Sequence, residues 1–143
     1  MDEQTRKLLE ECSLGCKMAV ESFEQVKEYA RDPELKNVID RYTQKHRRIE
    51  EEVRELLKDS GNEEKTPGVI ASTLSWFTTE VRLSVNSDNT RIARLLMDGC
   101  NMGIKTIGEK AHQYGGADRK AKDLAQKIIR TEEELMKKLQ EFL

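Results

Sequence analysis

The chain has 143 residues, 36% hydrophobic and 36% charged, with a net charge of −2 from 25 basic and 27 acidic side chains. That length fits one domain whose core is shared by four or five helices. The interspersed charges offer no basic stripe for a phosphate backbone, so no nucleic-acid partner is expected. No apolar run reaches the roughly 20 residues of a membrane span, so no membrane partner is expected either.

The densest basic cluster, Lys45-His46-Arg47-Arg48, is followed at once by Glu50-Glu51-Glu52 and reads as a solvated helix face. Residues 1–6 are polar and unlike a signal peptide. The three cysteines lack the spacing of a disulfide framework. A reducing compartment, the cytoplasm, is expected.

In chain order, the apolar spacing predicts a first helix over residues 4–30, with Leu8, Leu9, Cys12, Cys16, Ala19, Phe23, Val26 and Ala30 on one face. Asp32-Pro33 restarts the chain as N-cap and first helical residue. The second helix, 33–58, has the seam Leu35, Ile39, Tyr42, His46, Ile49, Val53 and Leu56, and Gly61 suits its left-handed end. Thr66-Pro67 opens a predicted helix over 67–85 that carries Ile70, Leu74, Phe77, Val81 and Val85. Phe77 is expected to anchor that helix, with Trp76 beside it. The next helix, 90–114, presents Ile92, Leu96, Gly99, Cys100, Gly103, Ile107 and Ala111, and stops at Gly115-Gly116. The last, 117–142, has the seam Ala121, Ala125, Ile128, Glu132, Leu135, Leu139 and Phe142. His46 and Glu132 are the polar exceptions at the middles of their seams.

The two halves repeat. Gly15-Cys16-Lys17-Met18-Ala19 aligns with Gly99-Cys100-Asn101-Met102-Gly103 at an offset of 84 residues, and the second helices align with His46 opposite Glu132 at an offset of 86. A duplicated hairpin packs on its copy about a pseudo-twofold axis, and the long connection lets the second hairpin start at the end where the first one turned. The expected layout is one domain, 1–143, with a hairpin at 4–58, a crossover at 59–89 and a hairpin at 90–142.

These segments resemble the ferritin-like superfamily, above all its small bacterial members, some associated with stress responses. Their first helix carries Gly-Glu-x-x-Ala and then an aromatic residue, where this chain has Gly15-Cys16-Lys17-Met18-Ala19 and Phe23. Their third bundle helix carries a matching Gly-Glu and a later Tyr, where this chain has Gly99-Cys100 and Tyr114. The resemblance implies an all-α, ferritin-like four-helix bundle of two repeated hairpins joined by a long crossover that carries an extra short helix. Members with a two-metal centre use a Glu from each of two helices and a Glu-x-x-His from each of the others. Here the lone Glu positions are Cys16 and Cys100. The Glu-x-x-His segments become Thr43-Gln44-Lys45-His46 and Ile129-Arg130-Thr131-Glu132. An ordinary di-iron site is not expected, and no activity is inherited from the fold alone.

Three readings follow. The first is a non-catalytic structural or interaction protein without a cofactor, its ancestral centre lost, with His46 and Glu132 paired across the core and the cysteines as small buried hydrophobes. The second is one Zn or Fe ion held by Cys16, His46, Cys100 and Glu132, with Cys12 as a substitute ligand. The third is a thiol redox protein using Cys16 and Cys100. A homodimer is the expected assembly, and the repeat mates Met18 and Met102, which point away from the seam, are candidates for its surface. No phosphate loop and no Ser-His-acid arrangement is present in the sequence, and His112 is expected at the surface.

Overall fold

The computed structural model describes residues 1–61 and 89–143. Among these, the chain forms α1 (Glu3–Lys27), α2 (Pro33–Asp59), α3 (Asn89–Gln113) and α4 (Arg119–Leu139), with a 3₁₀ turn at Gln140–Phe142. The predicted helix at 67–85, with Trp76 and Phe77, lies outside the described residues.

Aspartates start three of the helices. Asp2 accepts from the Thr5 N–H at 2.8 Å, Asp32 from Glu34 at 2.8 Å and Asp118 from Ala121 at 2.9 Å, each satisfying a donor that the first turn leaves open. Because Asp118 is the cap, α4 begins at Arg119 rather than at Ala117 as the periodicity suggested. Similarly, α1 ends at Lys27. The N–H groups of Tyr29 and Ala30 then bond three residues back, to Val26 and Lys27, so Ala30 stays in the core without being helical. Gly61, at φ 79°, takes the left-handed conformation that closes α2.

The core consists of two apolar clusters stacked along the bundle. One gathers Val26, Leu35, Ile39, Ile92, Leu96, Leu135 and Leu139. The other gathers Leu8, Leu9, Ile49, Val53, Leu57, Ile107 and Ala121. The first contains the end of α1, the start of α2, the start of α3 and the end of α4. The second contains the opposite ends. Hence α1 and α4 run one way and α2 and α3 the other. Each helix packs antiparallel to two neighbours, in the pairs α1–α2, α2–α4, α4–α3 and α3–α1, and α1 also touches α4 across the diagonal. The end of α2 and the start of α3 therefore lie at opposite ends of the bundle, about 37 Å apart for a 25-residue helix. This is a four-helix bundle with one long crossover.

Two seam assignments shift. Leu57 rather than Leu56 is fully buried at the end of α2, because a straight helix of 3.6 residues per turn drifts off a seven-residue repeat. Gly99 and Gly103 are only half-buried and face a groove rather than the packed core. The hairpins are tied at both ends. The Gly116 and Asp118 N–H groups donate to Gln4 Oε1 and Thr5 Oγ1 at 2.7 and 2.8 Å. At the far end, the Asp32 N–H donates to Asn89 Oδ1 at 3.3 Å. Among the described residues no helix is long and apolar enough to cross a membrane.

Candidate functional site

Between the two apolar clusters lies a polar layer. Tyr42 and His46 are one turn apart on α2, so the His46 Nδ1–H reaches back to the Tyr42 carbonyl at 2.6 Å. That bond assigns the proton on Nδ1 and turns Nε2 across the bundle, where it pairs with Oε1 of Glu132 on α4. His46 is 0% exposed and Glu132 is 5% exposed. With Nδ1 already donating, Nε2 binds a carboxylate well only if it too carries a proton. Burial works against the imidazolium, but the hydrogen bond and charge of Glu132, with the Tyr42 carbonyl, outweigh it and raise the His46 pKa. The layer is a buried histidine–glutamate pair whose contact favours the charged imidazole. The Phe23 ring stands edge-on to the imidazole at 5.1 Å and closes it off from α1.

The cysteines flank this pair, and Cys100 hydrogen-bonds with Glu132. Cys100 belongs to the cluster on one side of the layer, and Cys12 and Cys16 belong to the other. All three are buried and unbridged. Burial, then the charge and hydrogen bonding of Glu132, pushes the Cys100 thiol up. Burial, then Cys12 and Glu132, does the same to Cys16. Cys12 is pushed up to about 12 by burial and by Glu11. A protonated thiol is a poor ligand and a poor nucleophile. Thus the structure brings His46 and Glu132 into contact, sets Cys100 against Glu132 and leaves Cys12 a turn further off. Among the described residues no three His, Cys, Asp or Glu side chains are gathered to hold a metal ion. His112 is exposed at the end of α3.

Beside the layer, α1 and α3 leave an apolar groove of about 130 Å³. Its walls are repeat mates: Gly15 and Gly99, Met18 and Met102, Ala19 and Gly103. Glu132 forms part of its floor, with Oε2 3.7 Å from the place that a Cβ on Gly103 would occupy. The sequence reading placed Met18 and Met102 away from the core but missed the groove between them. The only local signal was three glycines, Gly99, Gly103 and Gly108, inside a helix. It also missed Thr5, whose hydroxyl donates to Asp2 and accepts from the Asp118 N–H.

The fold and site define a crossover four-helix bundle whose core is divided by a buried histidine–glutamate pair. The family model described as Domain of unknown function (DUF2383) matches residues 4–113. The chain belongs to that family; the match takes in α1, α2 and α3 and ends before α4, which carries Glu132. No curated protein and no solved structure is significantly similar to the chain.

Proposed function

We propose that this chain is a ferritin-like bundle acting as a non-catalytic structural or interaction protein, in which an ancestral two-metal carboxylate centre has given way to a self-satisfied polar layer. The observation that carries this reading is the direct bond between His46 and Glu132. In a ferritin-like centre the corresponding positions would both aim at metal. The other ligand positions do not fit a pair of iron ions. Cys16 and Cys100 stand at the lone Glu places with protonated thiols, and the Thr43 hydroxyl is spent on the Ile39 carbonyl at 2.7 Å. Ile129, at the remaining place, is apolar and packs against the cluster around Ile128.

A second reading keeps one Zn or Fe ion on Cys16, His46, Cys100 and Glu132. Its support is the Tyr42 carbonyl, which holds His46 by Nδ1 and aims Nε2 inward, as the outer partners of metal-bound histidines do. Elemental analysis of protein purified anaerobically without chelator decides between them. The structural reading expects no stoichiometric metal, and no retention after zinc or ferrous iron is added back and dialysed. About one metal per chain, lost in Cys16→Ser and Cys100→Ser, would overturn it in favour of the second.

A further inference from the structure

Two hairpins built on one pattern can pair in more than one way. In this bundle each meets the other, but hairpins with like seams can also meet their own kind in a second copy of the chain, as the halves of a symmetric dimer do. The apolar clusters do not forbid it. They mix side chains of both hairpins, with Ile39 and Leu139 in one and Val53 and Ala125 in the other. Cores accept apolar side chains of about the right size in many combinations.

The polar contacts do oppose it. His46 and Glu132 are repeat mates at an offset of 86 residues and touch each other, so the pseudo-twofold axis passes between them. A residue on a true twofold axis meets its own copy. Two N-terminal hairpins would set His46 against the second copy's His46, with each Nδ1–H already held by a Tyr42 carbonyl and no carboxylate between the rings. Two C-terminal hairpins would set Glu132 against the second copy's Glu132, acceptor against acceptor in a buried layer.

The exposed pairs between α2 and α4 follow the same rule. Lys45 meets Glu134 at 3.2 Å, and Lys127 meets Glu52 at 2.9 Å. By the same offset Glu134 corresponds to Arg48, and Glu52 to Lys138. Like pairing would exchange these attractions for Lys45 against Arg48 and for Lys127 against Lys138. It would keep one, because Lys127 corresponds to Arg41, which would face Glu52. Exposed pairs weigh little, so the buried one decides.

We propose that the His46–Glu132 pair selects the partner of each hairpin. It fits the inner face of one hairpin to the unlike hairpin and rejects a like hairpin from a second copy of this chain. This rests on the structural role proposed above, and it accounts for a polar pair standing where apolar residues would pack.

The test refolds isotopically light and heavy full chains together from urea at about 1 mM, the order of the effective concentration that linkage gives two halves of one chain. A short amine-reactive cross-linker is added, and mixed-isotope peptides are counted by mass spectrometry. A link from Lys127 of one chain to Lys138 of the other marks like pairing. The parent should give almost none. His46→Leu/Glu132→Met, which leaves the layer apolar, should give roughly tenfold more. His46→Glu/Glu132→His reverses the pair and should return to the parent level. If the apolar variant does not fold, Glu132→Gln keeps the test decisive: an amide both donates and accepts, so it can bond its own copy, and the same increase is expected. Links at the parent level in the folded apolar variant or in Glu132→Gln would overturn the proposal, as would abundant links in the parent or in the reversed variant. Metal is measured on the same parent sample. Stoichiometric metal would overturn the structural reading and this proposal with it, whereas in a metal-free parent the link count decides this proposal alone.

Discussion

Replacing one member of the buried pair should cost far more than replacing both. In Glu132→Met the imidazole of His46, fully buried, loses its counter-charge and the partner of Nε2, while Nδ1 keeps the Tyr42 carbonyl. In His46→Leu a carboxylate 5% exposed is left without its cation. Each single change removes one side of a buried ion pair and is expected to cost about 3–5 kcal/mol. The double variant turns the polar layer into a continuation of the apolar clusters on either side, and should fall within about 2 kcal/mol of the parent, in either direction. The coupling energy from the cycle is then about 4 kcal/mol or more. Urea unfolding followed by far-UV circular dichroism measures it. The pH dependence has a definite sign. The His46 pKa is raised by folding, so the pair's contribution is complete below the ordinary imidazole value of 6.5 and fades as pH rises through the folded value. The coupling should therefore be larger at about pH 6 than at about pH 9. Additive single costs in the double variant, or a cost for Glu132→Met below about 1 kcal/mol at the lower pH, would refute the reasoning.

Other expectations can be checked by the same unfolding assay. Gly99→Ala should stabilise the fold by about 0.5–1 kcal/mol, since the added methyl meets nothing within 4 Å among the described residues and the helix loses a flexible residue. Ser13→Ala should be neutral or slightly stabilising, because the Ser13 hydroxyl is buried without a hydrogen-bond partner among the described residues. Thr5→Val should cost about 1–3 kcal/mol, because it removes the acceptor of the Asp118 N–H where the two hairpins are tied. The thiols give an alkaline signature. Folding raises the pKa of Cys12, Cys16 and Cys100, so stability should fall as pH climbs above the ordinary thiol value of 9.0. At neutral pH, alkylation of all three should proceed only as fast as the bundle opens; rapid labelling of Cys16 or Cys100 in the folded protein would contradict their burial.

Much of the fold was legible because helices are local objects. The spacing of Leu35, Ile39, Tyr42, Ile49 and Val53 marked a buried face, and the structure buries all five. Asp32-Pro33 and Gly61 marked ends that the hydrogen bonds and the positive φ place there. The Gly-Cys-x-Met repeat, with the length of the connection, pointed to a second hairpin starting where the first had turned, and the clusters have that arrangement. The polar exceptions His46 and Glu132 stood out against apolar seams, and the structure pairs them.

What the sequence by itself determined was therefore a set of amphipathic rods, their caps, and the two positions where the apolar seam is interrupted. These follow from a period of 3.6 residues and from side chains bonding to nearby backbone, which need no distant partner. Only the tertiary structure decided who answers whom. It paired Nε2 of His46 with Glu132, put Cys16 and Cys100 in different clusters with their thiols protonated, and joined Thr5 to the start of α4. It also turned Gly99 and Gly103 from a packed face into the wall of a groove. Burial, partnership and empty space depend on how several helices approach one another, and residue periodicity within one helix carries no record of that distance.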